Sequence, residues 1–201
     1  MNTARDLAIV ALDAAPKRPV EQGDLSLALA GAELLDLVEA GSLVVDDDLI
    51  APAAQAPTGD RLLDEAADSV VRQEPYESVE DWLWRRGEGL SAAYVDDLER
   101  IGLTTRPRGR RIPLLSGRTQ PVDSAARQRA EERLAADEPV LAALAAAAGI
   151  REEPAETAEG LDGDTVTAVL AAVGEAVMEL EGVRQRKAIE NSAFDNVWRG
   201  F

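Results

Sequence analysis

Seven arginines, Arg106, Arg108, Arg110, Arg111, Arg118, Arg127 and Arg129, fall within one stretch that holds a single acid, Asp123. That stretch carries a net charge of +6, which leaves −23 for the remainder of a chain whose total is −17. A guanidinium fork binds phosphate or carboxylate oxygens pairwise, so the chemistry on offer is anion recognition. Beside the arginines runs an apolar segment, Ile112, Pro113, Leu114 and Leu115, with Gly109 and Gly117 as turn signals. The pattern predicts a β-hairpin over 103–122. Arg106, Arg108, Arg110, Arg111 and Arg118 would meet an anionic lipid surface or an acidic protein partner, and Leu114 and Leu115 would add apolar depth. The same strand could pair with a second copy, giving a homo-oligomer through the hairpin. The competing reading is a solvated hairpin whose arginines answer acids of the same chain.

Two further groups are candidates for a secondary contact. One is Trp82 with Arg85 and Arg86, since Trp beside Arg suits a headgroup-level anchor. The more common outcome for such a group is a core Trp with arginines paired to nearby acids. The other is Phe194, Trp198 and Phe201 in the tail 190–201, which share one face if that tail is helical. Thr58, Gly59 and Asp60 resemble a phosphate turn only faintly, and a capping turn explains them better.

Composition narrows the function. The chain has no Cys and no His, which removes thiolate nucleophiles, imidazole acid–base catalysis and Cys/His metal sites. No enzymatic activity, cofactor or metal is expected. The acidic total opposes general adhesion to nucleic acid. A helix, helix, hairpin order near the start is also that of a DNA-reading winged helix, but the second helix bears Glu33, Asp36 and Glu39, the wrong sign for phosphate. Met1 to Val20 lacks the layout of a signal peptide, and no apolar run approaches ~20 residues. The expected location is cytoplasmic, with any membrane contact peripheral and on the inner face.

The elements that must position these groups read as mainly α, in one domain over 1–201. Helices are predicted over Ala4–Leu12, Asp24–Ala40, from Asp60 through Val71, from Ser78 to Arg86, from Ser91 to Ile101, from Asp123 to Arg133, over Pro139–Ala148 and from Asp164 to Ile189. Asp60, Ser78, Ser91, Asp123 and Asp137 are the expected N-caps. Leu43 to Ile50 reads as a short hairpin with an acidic tip, and 151–163 as an acidic loop.

Several segments then resemble, in order, the Golgi phosphoprotein 3 family, including its bacterial members. They are LAGAELLDLVEAGSLVVDD from Leu29, APTGDRLLDEA from Ala56, EDWLWRR from Glu80, LERIGLTT from Leu98 and RRIPLLSGRTQPVDSAAR from Arg110. The resemblance implies a single mainly helical domain with small β-hairpins. It also implies a cytosolic protein that recognises phosphatidylinositol 4-phosphate and, in eukaryotic relatives, short basic tails of membrane enzymes. The family's headgroup arginines fall here on Ala30, Glu88 and Ser91, and its membrane-facing tryptophan on Glu21. None of the four matches, so no phosphoinositide selectivity is expected. The leading expectation is a peripheral membrane lipid-binding adaptor that uses the arginine hairpin. The alternative is a protein-binding scaffold or oligomerising adaptor without lipid binding.

Overall fold

The computed structural model describes residues 2–14, 20–54, 56–105, 120–121, 124–152 and 163–198; of 105, 120–121 and 191–198 only the backbone is described. Eight helices are present among these residues, with two small antiparallel sheets. The mainly α architecture expected from the sequence is therefore what forms.

The fold is organised around α2 (Gln22–Glu39). Every residue from Ser26 to Leu37 is buried, including Glu33 and Asp36. A helix apolar on nearly all sides has to be enclosed. Here α1 (Thr3–Ala14), α3 (Arg61–Ser69), α4 (Val79–Gly87), α5 (Leu90–Arg100), α7 (Pro139–Ala147) and α8 (Asp164–Trp198) all pack against it. α6 (Ala125–Ala135) lies mainly on α1.

Two glycines set the distance between α2 and α8. A methyl group on Gly31 would overlap Cγ2 of Val173, and one on Gly23 would stand 2.6 Å from Cδ2 of Leu180. Val173 and Leu180, seven residues apart on α8, thus lie over Gly31 and Gly23 of α2, with the two helices antiparallel. At Gly31 a side chain would press on the short, β-branched Val173, whereas at Gly23 it would have to turn aside the ends of the Leu180 and Arg184 side chains.

The first sheet has strand order β1 (Leu43–Asp46), β2 (Leu49–Pro52), β3 (Glu77–Ser78). Asp46 pairs with Leu49, so the turn is the two residues Asp47 and Asp48, both at positive φ (44° and 68°). That is the twist-matched form of a two-residue hairpin, and Asp tolerates it better than most side chains do. The second sheet pairs β4 (Thr104–Thr105) with β5 (Gln120–Pro121).

Local signals placed some helix starts and missed others. Asp60 accepts hydrogen bonds from the N–H groups of Leu62 and Leu63, and Ser78 accepts from that of Asp81, as expected of N-caps. Ser91 is not a cap. α5 begins one residue earlier, after Gly89, and the Ser91 N–H donates to Ser26 Oγ on α2. The cap of α6 is Ser124 rather than Asp123, and that of α7 is Glu138 rather than Asp137. α3 ends at Ser69, so Val70 is buried but Val71 is exposed, against the stripe expected to run through both. α8 continues past Ile189 to Trp198, which makes most of the expected tail part of one 35-residue helix.

Candidate functional site

β4 follows α5 directly. The Leu103 N–H donates to the Leu98 carbonyl, and Thr104 is buried. Thr105 pairs with Gln120, which holds the two ends of the arginine segment side by side. Arg106, Arg108, Arg110, Arg111, Leu114, Leu115 and Arg118 lie outside the described residues, as does the acidic segment 153–162. The other two arginines of the basic stretch lie on α6, Arg127 half-buried and Arg129 exposed. Arg127 bonds Asp13 of α1 at 3.0 Å, and Arg129 stands 3.9 Å from Asp6, which Arg133 engages at 2.5 Å. Arg127 and Arg129, on α6 and not on the hairpin, thus face acids of the same chain, whereas the competing reading concerned hairpin arginines outside the described residues.

Trp82 and Arg86, expected as a secondary contact, point inward. Trp82 is 0% exposed and its indole N–H donates to the Ala30 carbonyl of α2 at 3.2 Å. Such burial removes it from any membrane face. Arg86 forks onto Glu33 at 2.7 and 3.0 Å and also donates to the Leu62 carbonyl. Tyr94 completes the set, its hydroxyl donating to Glu33 at 3.0 Å. Burial raises the Glu33 carboxyl and the Tyr94 phenol above their ordinary ranges, although the Arg86 and Tyr94 bonds oppose that for Glu33. Only Arg85 of this group stays at the surface, stacked 5.2 Å from the Trp82 ring and bonded to Glu77. Phe194 and Trp198 lie on the described backbone of α8, and Phe201 lies outside the described residues.

The Thr58–Asp60 turn is a structural junction as well as a cap. Asp60 Oδ2 accepts from Asn2 and Arg5, tying α3 to the start of α1. Beside it, the carboxylate of Asp36 accepts from the backbone N–H groups of Thr3 and Ala4 at 3.0 Å each, so a residue of α2 caps α1. These groups border a cavity of about 510 Å³ that also involves Glu39, Thr58 and Leu63.

Burial pushes the Asp36 carboxyl up to about 6, the two N–H bonds notwithstanding. A folded-state value above the ordinary 3.8 means that folding takes up a proton between the two. The stabilising contribution is fully present below the unfolded value and is lost as pH rises through about 6. The whole shift is worth about 3 kcal/mol, of which about 1 kcal/mol falls between pH 7 and pH 5. Urea unfolding should therefore find a component of stability that rises as pH falls from 7 to 5. At pH 7 Asp36→Asn should be less stable than the parent, since its amide oxygen serves one N–H where the carboxylate serves two. It should also show a smaller gain on acidification, and an unchanged gain would rule out Asp36 as its source.

A second cleft, of about 380 Å³, opens where the N-terminal ends of α2 and α5 converge. Gln22, Ser26, Trp84, Glu88, Ser91 and Leu180 border it. Neither helix has a side-chain cap, so the N-terminal amides of both end here. No basic side chain is among its lining residues, and Glu88 is exposed at its edge.

The family model for Golgi phosphoprotein 3 matches residues 4–191. The chain belongs to the Golgi phosphoprotein 3 family. No curated protein matches it. Of the three positions on which the resemblance sets the family's headgroup arginines, Glu88 and Ser91 line the cleft, and Glu21, on which it sets the membrane-facing tryptophan, directly precedes Gln22 of the cleft. Ala30 is buried within α2. The structure thus brings together positions distant in sequence, with a carboxylate and a hydroxyl where arginines would bind phosphate. A carboxylate about 4 Å from a phosphate is repulsive by about 1–4 kcal/mol across effective dielectrics of 80 to 20.

Sequence reasoning missed the Glu33–Arg86–Tyr94 set and the Asp36 cap. The signal was available. Glu33 and Asp36 inside LALAGAELLDLV, a run apolar on every face, require buried partners.

Proposed function

We propose that this protein is a peripheral membrane adaptor that meets anionic surfaces through its arginine segment and not through a phosphoinositide pocket. The observation that carries the reading is the β4–β5 pair. It ties off residues 106–119, five arginines without an acid, at the end of α5 opposite the cleft. Membership in the Golgi phosphoprotein 3 family supports the lipid-facing role, and the acid-edged cleft argues against headgroup selectivity. Among the described residues no helix is long and apolar enough to cross a membrane.

Each basic residue near an anionic surface contributes about 1 kcal/mol, within about a Debye length. Replacing Arg108, Arg110 and Arg111 together by Ala should weaken sedimentation with anionic vesicles by about 3 kcal/mol, roughly 100-fold, and flatten its salt dependence. Leu114→Ser with Leu115→Ser should leave a salt-sensitive but weaker encounter. Vesicles carrying phosphatidylinositol 4-phosphate should bind no better than other anionic vesicles of equal charge. A folded triple-arginine variant that binds every anionic vesicle as the parent does would overturn the reading. Selective binding competed by the soluble headgroup would restore the pocket in its place.

A further inference from the structure

The cavity of about 510 Å³ at the start of α1 shares no lining residue with the cleft at the α2 and α5 N-termini. Its volume lies within the range of about 300–1,000 Å³ usual for small-molecule sites. Most of its polar groups are committed. Each oxygen of Asp36 accepts one N–H of α1, Asp60 Oδ1 accepts the N–H groups of Leu62 and Leu63, and Asp60 Oδ2 accepts from Asn2 and Arg5. Thr58 donates to Asp64 through both its N–H and its hydroxyl. Two charged groups remain. The Arg5 side chain, 27% exposed, uses only Nη2, and among the described residues its Nε and Nη1 have no partner. Glu39 is exposed, and among the described residues its carboxylate has no partner either, Arg5 included. An unmatched cation and an unmatched anion therefore border one cavity without joining each other.

We propose that this cavity binds a free neutral amino acid, with its carboxylate on Arg5 and its ammonium on Glu39 at the end of α2. The unused N–H groups of Arg5 are charge-assisted donors suited to a carboxylate. The end of α2 suits a cation for two reasons. Glu39 supplies the charge, and the carbonyls of Glu39 and Ala40 receive no backbone bond among the described residues, at the negative pole of an 18-residue helix. A ligand with one charge fits less well. An amine alone leaves the Arg5 donors unmet, and a carboxylate alone enters a wall that holds Asp36, Glu39 and Asp60 against a single guanidinium. The same excess of acid disfavours a second carboxylate on the ligand, so a neutral side chain is preferred, with Leu63 and Ala40 as the apolar part of the wall. A bound amino acid would bridge α1 to the end of α2. None of these groups belongs to the arginine segment, so this site and the membrane contact stand or fall separately.

Isothermal titration calorimetry of the full chain with glycine, L-alanine and L-leucine tests this, with ethylamine and acetate as the two half-ligands. At least one of the three amino acids should bind with a Kd of about 1 mM or below and raise Tm in proportion to its occupancy. Each half-ligand should bind at least about 10-fold more weakly than that amino acid, and L-glutamate more weakly too. Glu39→Gln removes the charge of an exposed side chain that has no bond to lose. Its Tm without ligand should therefore equal that of the parent, while the amino acid should bind at least about 10-fold more weakly. The proposal is overturned if none of the three amino acids reaches a Kd of about 1 mM. Ethylamine, acetate or L-glutamate binding as tightly as the best of them overturns it as well, and so does a Glu39→Gln protein that binds like the parent.

Discussion

Arg86→Met should unfold at markedly lower denaturant than the parent, with a loss of about 3–5 kcal/mol at neutral pH. The substitution keeps much of the side-chain length but leaves Glu33, 0% exposed, without the fork that neutralises it. Tyr94 alone supplies one hydrogen bond to a carboxylate that burial already disfavours. In the variant Glu33 should take up a proton more readily, so the deficit should shrink as pH falls. The double replacement Glu33→Leu with Arg86→Met removes both charges, and it should recover most of the loss because a well-packed apolar pair avoids the desolvation of two ions. Double-mutant analysis separates the two effects. If Arg86→Met alone loses less than about 1 kcal/mol, the bond to Glu33 is not holding a buried charge in place.

Trp82→Ala should produce a loss of similar size, about 3–5 kcal/mol, by leaving a cavity between α4 and the middle of α2. Trp82→Phe retains most of the volume and loses the bond to the Ala30 carbonyl, so its loss should be nearer 1 kcal/mol. These variants also separate scaffold from contact surface. Vesicle sedimentation of the folded fraction should match the parent for both, since Trp82 does not reach solvent. A Trp82→Phe protein of near-parent stability that loses membrane binding would return Trp82 to the contact surface.

α4 connects these two results to the cleft. Its N-terminus is fixed by Ser78, its middle by Trp82 on α2, and its last turn by Arg86 on Glu33. The chain then passes through Gly87, Glu88 and Gly89 into α5, along the cleft wall. The positions of Glu88 and Ser91 thus depend on a buried ion pair and a buried indole that do not face any ligand. Inward anchoring of Trp82 and Arg86 is what gives the cleft a fixed wall.

The segments legible in the sequence were those whose information is local. Asp60 and Ser78 announce their helices because a cap bonds to amides two or three residues away. The Leu43–Ile50 hairpin with its acidic tip was legible too, although Asp46 belongs to β1 and the turn itself is Asp47–Asp48 at positive φ. Ser91, Asp123 and Asp137 failed as caps for a related reason. Each stands within a residue or two of the true boundary, and the choice was made by a tertiary partner such as Ser26 or by a backbone such as that of Asp137, at φ 53°.

The sequence by itself determined the helical class and the absence of Cys and His chemistry, since these need only composition, period and spacing; the ordered family segments and the unmatched headgroup arginines were legible only through the resemblance to the family. The tertiary structure decided which described charges are paired. Arg86, Arg127 and Arg133 each answer an acid distant in the chain, at Glu33, Asp13 and Asp6. Pairing depends on through-space distance and desolvation, and neither is a property of sequence separation.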